Sequence, residues 1–186
     1  MKIAIIAPLA ERCPPALYGG TERVVSYLTE ELVEQGHDIT LFASGDSITA
    51  ADLVPCCDTA LRLTPEVVDA FPYHMIMLNE VARRWREFDV LHFNIELMHA
   101  PVVAPFMQRT LTTLHGRLDM PDLYPFYRAF PDLPLVSISN AQRRPMPPVN
   151  WAGTVLHGLP KDLLAFNPGA RNGYLAFLGR ISPEKR

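Results

Sequence analysis

The residues from Lys2 to Phe42 constrain this chain most, because they spell out one strand–helix–strand unit. Lys2-Ile3-Ala4-Ile5-Ile6-Ala7 is a short, nearly unbroken apolar run closed by Pro8, the pattern of a strand buried on both faces of a parallel sheet. After Gly19-Gly20-Thr21-Glu22, the apolar residues Val24, Val25, Leu28, Leu32 and Val33 recur at helical spacing. Glu22, Arg23, Glu30, Glu31 and Glu34 fall on the other side, which predicts an amphipathic helix with its charges in water. Gly36 supplies a left-handed stop, and Ile39-Thr40-Leu41-Phe42 returns as a second strand. A right-handed crossover aims the helix N-terminus over the carboxyl edge of the sheet, where such folds bind ligands.

The rest of the chain keeps the alternation. Pro8 to Tyr18 is a long loop containing Pro14-Pro15, and Ser44 to Leu63 is irregular, with room for one short strand in Asp52–Cys57 or Thr59–Leu63. Pro65–Phe71 and Tyr73–Arg86 read as helices, the second with Met75, Leu78, Ala82 and Trp85 along one face. Asp89–Phe93, Thr110–Leu114, Leu135–Ser139 and Thr154–Leu156 read as buried strands, Val102–Met107 and Leu123–Phe130 as helices. The expected fold class is α/β, a doubly wound Rossmann-like parallel sheet.

Composition narrows the partners. A net charge of -3 without a basic block argues against nucleic acid or an anionic membrane surface. No apolar run approaches the roughly 20 residues of a transmembrane helix, and Met1-Lys2 leads straight into a strand, leaving no room for a signal peptide. Three cysteines (Cys13 and the adjacent Cys56 and Cys57) fit neither a disulfide framework nor a zinc spacing, so reduced thiols in a cytoplasmic protein are expected.

Motifs exclude more chemistry than they admit. The loop from Pro8 to Gly20 is too long for the dinucleotide-binding Gly-x-Gly-x-x-Gly turn, and a Walker Gly-Lys-Ser/Thr is missing. Gly19-Gly20 either lets backbone amides approach an anion or makes room for helix packing. His92, His115 and His157 each lie at or near a strand's carboxyl end; no paired spacing makes them a zinc site, and no metal is expected. Gly116 after His115 lets a ligand approach that backbone, which singles His115 out. Glu96 and His99 are candidates for an acid–base pair or for plain surface polarity. Ser137 and Ser139 lack the glycines of a nucleophile elbow.

At the chain end, Tyr174–Leu178 reads as a new strand, reached through a linker over 159–173. It runs into Gly179-Arg180-Ile181-Ser182-Pro183-Glu184-Lys185-Arg186, which is either a solvated tail or a diphosphate site in which Arg180 forks onto phosphate oxygens and Lys185 adds a point charge.

Taken in order, these motifs resemble the family 4 glycosyltransferases, the retaining group with a GT-B fold. The likeness is carried by Gly19-Gly20-Thr21-Glu22, Gly36–Leu41, Asp89-Val90-Leu91-His92, Thr113-Leu114-His115-Gly116, Ser137–Gln142 with Asn140, Val155–Pro160 and Phe177–Lys185. The resemblance implies transfer of a sugar from a UDP-, GDP- or ADP-sugar to an acceptor hydroxyl with retention, without a cofactor or metal. It implies an acceptor-side N-terminal domain over 1–158 and, over 174–186, the first strand and phosphate turn of a second domain. Gly19, Gly20, Thr21, Glu22, Gly116, His92 and Asn140 would line the substrate and phosphate site. His115 would contact the donor sugar, with Arg180 and Lys185 on the leaving diphosphate. The paired glutamates that hold the donor in this family would lie beyond Arg186, and Arg186 stands where glycine is common. The chain is therefore expected to be inactive alone, and the orphan strand 174–178 to be either disordered or paired with a neighbouring molecule's edge. The alternative is a non-catalytic sugar or nucleotide-sugar binding module of the same fold.

Overall fold

The apolar run after Met1 becomes an interior strand of a parallel sheet in the computed structural model, which describes residues 1–164, 167–169 and 173. Seven strands are present among the described residues: β1 (Lys2–Ile6), β2 (Asp38–Ala43), β3 (Asp52–Pro55), β4 (Val90–Phe93), β5 (Thr110–Leu114), β6 (Leu135–Ser137) and β7 (Trp151–Thr154). They lie in the order β3-β2-β1-β4-β5-β6-β7, every neighbouring pair parallel. Four α-helices accompany them: α1 (Gly20–Glu34), α2 (Phe71–Arg84), α3 (Leu123–Ala129) and α4 (Asn140–Arg143). The doubly wound Rossmann-like class is what the alternation of elements predicts. The predicted strand 174–178, with Arg180 and Lys185, lies outside the described residues.

The crossover rule sorts the helices by face. The chain moves outward one way from β1 to β2 and the other way from β4 to β6, so right-handed connections put α1 on one face and the later helices on the other. Under α1, Val25 packs with Ile3, Ile5, Ala7, Ile39, Leu41 and Ala43. On the opposite face, Met77, Leu78 and Val81 of α2 and Tyr127 of α3 pack with Ala4, Ile6, Phe42, Leu91, Phe93 and Leu135. The α1 side of β4 to β6 is left as an open groove of about 860 Å³.

Several local expectations shift for physical reasons. Val24 and Leu28 line that groove instead of the core, because α1 covers only its own end of the sheet. Glu22, expected in water, is 4% exposed. Residues 65–70 form turns instead of a helix. Val67 N–H bonds to the Thr64 carbonyl; Val67 and Ala70 pack at the edge of the core while Val68 is 99% exposed, so the segment has no continuous helical face to bury. The next helix starts at Phe71, with Pro72 in the first turn, where a missing N–H costs nothing. Its buried centre is His74, Met77, Leu78 and Val81, and the predicted Met75, Ala82 and Trp85 pack at its margin. A 3₁₀ turn over Ala104–Arg109 replaces the helix expected at Val102–Met107. Of the two candidate segments before it, Asp52–Pro55 pairs with β2 as an edge strand, and Leu61–Leu63 is a 3₁₀ turn. The strand expected at Thr154–Leu156 lies earlier, at Trp151–Thr154. Its neighbour β6 stops at Ser137, whose carbonyl accepts the Val155 N–H at 2.9 Å; beyond it the Ile138 N–H turns to the Gln142 side chain, so Leu156 has no strand to extend along, and Val155 and Leu156 are exposed.

Candidate functional site

Strand alternation assembles the site. In β4 and the residue after it, Leu91 and Phe93 point into the core beneath α2, which sends His92 and Asn94 to the groove side. The same rule in β5 buries Leu114 and sends Thr113 and His115 to the groove. Two cross-strand hydrogen bonds tie this face together: His92 Nε2 lies 2.8 Å from Thr113 Oγ1, and His115 Nε2 lies 2.9 Å from Asn94 Oδ1. His157, just past β7, lays its ring over His115 with centroids 5.1 Å apart. The three histidines singled out in the sequence thus line one groove. Among the described residues, no three His, Cys, Asp or Glu side chains are grouped so that they could hold a metal ion.

Burial governs the electrostatics. Desolvation, aided by His157 and His92, holds the His115 imidazole down to about 3, and burial holds His92 down to about 4. Both rings are neutral at neutral pH. Because Asn94 presents an oxygen, Nε2 of His115 carries the proton and Nδ1 is a bare acceptor. That Nδ1 is buried and has no hydrogen-bond partner among the described residues. A buried acceptor left unpaired costs about 1–3 kcal/mol, so this nitrogen calls for a donor, as does the Nδ1 of His99 in the core, equally unpaired among the described residues. His115 can accept a hydrogen bond from a hydroxyl, but it is not a general acid at neutral pH.

Glu96 and His99 do not form the acid–base pair weighed in the sequence. His99 points into the core, stacked on Phe93 at 4.1 Å, with Nε2 2.7 Å from Thr112 Oγ1. Glu96 turns the other way, and its Oε1 accepts the backbone N–H groups of His115 and Gly116. A side chain on Gly116 would put its Cβ 3.3 Å from that oxygen, so this glycine has an internal reason to be there.

The glycine pair divides into two different positions. Gly19 caps α1, and a Cβ there would sit 2.7 Å from Pro15 Cβ, so packing against the long first loop requires glycine. Gly20 is exposed, and an added Cβ would meet nothing within 4 Å. Gly19→Ala is therefore expected to cost about 1–3 kcal/mol by overpacking, whereas Gly20→Ala should stay within about 0.5 kcal/mol, both read from urea midpoints. Thr21 is half-buried, and Glu22 lies under the turn with its carboxyl pushed above the usual range by burial. The groove's lining includes neither the Gly19–Glu22 turn nor Asn140. Asn140 opens α4, 3.4 Å from Thr154 Oγ1 and exposed. Sequence reasoning missed Asn94, which strand alternation from His92 would have placed beside it, and it missed Gln142, which no local pattern marks.

Comparison with known proteins bears on the family and the fold. The profile of Glycosyltransferase Family 4 matches residues 18–155. Sucrose-phosphate synthase from Thermosynechococcus elongatus is 17% identical, with a TM-score of 0.52 over 84% of this chain and 47% of that one, which shows a shared fold. AviGT4, a glycosyltransferase involved in avilamycin A biosynthesis, is 20% identical with a TM-score of 0.46 over 77% of this chain and 38% of that one. MurG from Acinetobacter baumannii is 10% identical with a TM-score of 0.47, covering 83% and 44% respectively. The chain spans less than half the length of each of these structures. No curated protein sequence matches it. With most of its length, including the strands that carry His92 and His115, inside the matched region, the chain belongs to glycosyltransferase family 4.

Proposed function

We propose that this domain forms the acceptor-side half of a retaining glycosyltransferase that moves a sugar from a nucleotide-diphosphate donor to an acceptor hydroxyl. The observation that carries the reading is the buried, neutral His115 at the end of β5, its Nε2 tethered to Asn94 and its Nδ1 without a partner among the described residues. A neutral imidazole acceptor suits a sugar hydroxyl. In the proposed reaction the acceptor oxygen attacks the anomeric carbon from the face the diphosphate leaves. The bond from that carbon to the diphosphate oxygen breaks, and the acceptor proton passes to the departing phosphate. Arg180 and Lys185, outside the described residues, are proposed to meet the growing diphosphate charge, a stabilisation commonly worth a few kcal/mol per positioned donor. The chain alone is proposed to bind but not to turn over. None of the helices among the described residues is long and apolar enough to cross a membrane, which suits the proposed cytoplasmic setting.

A thermal-shift titration with UDP, GDP and ADP and their common sugar conjugates tests this. A ligand that binds only the folded state, at about ten times its Kd, adds about 1.4 kcal/mol and raises the midpoint. The expected result is a rise with a sugar conjugate of one nucleotide, diminished in His115→Asn. No rise with any conjugate, or an equal rise in the variant, would remove His115 from the sugar site.

A further inference from the structure

The turn that presents His115 is held from two sides by side chains belonging to different elements. From one side, Glu96 Oε1 accepts the N–H of His115 at 2.9 Å and that of Gly116 at 2.8 Å. From the other, Gln142 Nε2 donates to the carbonyls of Leu114 at 2.8 Å and Gly116 at 2.9 Å. Gln142 is itself fixed, because its Oε1 accepts the Ile138 N–H at 2.9 Å and its own N–H bonds to Ser139 Oγ. Two side chains thereby bind four backbone groups of a three-residue turn.

The arrangement is not the cheapest one for Glu96. Its φ of 56° is a left-handed conformation that a residue with a Cβ rarely adopts, and persists only where the surroundings hold it. Burial opposes its charge, and the two N–H bonds favour it. A strained, buried carboxylate spent on two backbone amides is a sign that the turn's geometry matters.

We infer that Glu96 and Gln142 are positioning residues that fix the His115–Gly116 turn, so that the site offers a ligand the His115 imidazole acceptor and no backbone N–H of that turn. The inference rests on the reading of His115 as the sugar-contacting residue and extends it to what this surface selects. With both amides taken by Glu96, the turn cannot cradle a phosphate, so His115 meets a hydroxyl, and the diphosphate must be held elsewhere. Glu96 acts through its oxygen as an acceptor, and glutamine, which keeps Oε1, can take its place.

Nitrogen-15 NMR of the 186-residue chain without ligand tests the clamp, reading His115 ring tautomer and the exchange of the His115 and Gly116 amides. Wild type and Glu96→Gln are expected to show the single Nε2–H tautomer and protected amides. In Glu96→Ala the two amides should exchange about tenfold faster or more, and the ring should lose its single tautomer. Unchanged exchange and tautomer in Glu96→Ala would overturn the inference. So would Glu96→Gln behaving like Glu96→Ala, since the charge and not the acceptor would then matter. If Glu96→Ala does not fold, Gln142→Ala removes the opposite side of the clamp under the same readouts, and an unchanged ring would again overturn it. Because no ligand is present, a clamp that holds while nucleotide sugars give no thermal shift would remove His115 from the sugar site and leave the clamp standing.

Discussion

Acidification from about pH 7 to about pH 4.5 is expected to destabilise the folded chain by several kcal/mol. Partial or full burial of His92, His99 and His115 by the protein around them holds their imidazoles down to about 4, 3 and 3, against an ordinary 6.5. Below 6.5 the unfolded chain takes up protons that the folded chain refuses, so stability falls as the pH falls towards the lowered values. Above 6.5 all three are neutral in both states and the contribution is complete. Each such histidine is worth about 1.4 kcal/mol per pH unit across that window, so three together outweigh most single mutations. Glu22 and Glu96 act with the opposite sign, since burial raises their carboxyls, and they offset part of the loss. Urea midpoints at the two pH values measure the slope, and His99→Leu should flatten it by one histidine's share. His99 is the cleanest case: fully buried, stacked on Phe93, and with Nδ1 unpartnered among the described residues. Equal midpoints at both pH values would refute the expectation.

The second large effect is expected from Phe93→Ala, at about 3–5 kcal/mol of lost stability. Phe93 is completely buried at the carboxyl end of β4, within the core that joins the sheet to α2 and α3. Removing its ring leaves a cavity and takes the stacking partner from His99. For a chain of this size the melting temperature should fall by about 10 °C or more. Val68→Ala is the control, because Val68 is 99% exposed and its truncation should stay within about 0.5 kcal/mol. A drop for Phe93→Ala no larger than the control's would show that this layer does not hold the sheet together.

Periodicity made most of the sheet legible. The runs at Lys2–Ala7, Ile39–Phe42 and Asp89–Phe93 read as strands because burial on both faces leaves little room for polar residues, Thr110–Leu114 read as another through its β-branched residues, and they became β1, β2, β4 and β5. Where a segment's state depends on a neighbour, the pattern misled. Val155-Leu156 is as apolar as any strand, yet β6 ends at Ser137 and gives it a single bond, to the Val155 N–H, with nothing beyond to extend the ladder. Residues 65–70 of the predicted helix pack only Val67 and Ala70 at the edge of the core, and so stay in turns.

The site divides along the same line. His92, His115 and His157 could be picked out from the chain alone, because each follows an apolar run and a parallel sheet gathers its strand ends at one edge. That His115 is neutral, that its proton sits on Nε2, and that Glu96 and Gln142 grip its turn were decided only by tertiary structure. Local sequence sets which backbone conformations and which faces are available, since those depend on near neighbours. Burial depth and hydrogen-bond partners 19 to 28 residues away depend on how the strands are ordered, and the order follows from handedness and packing of the whole sheet.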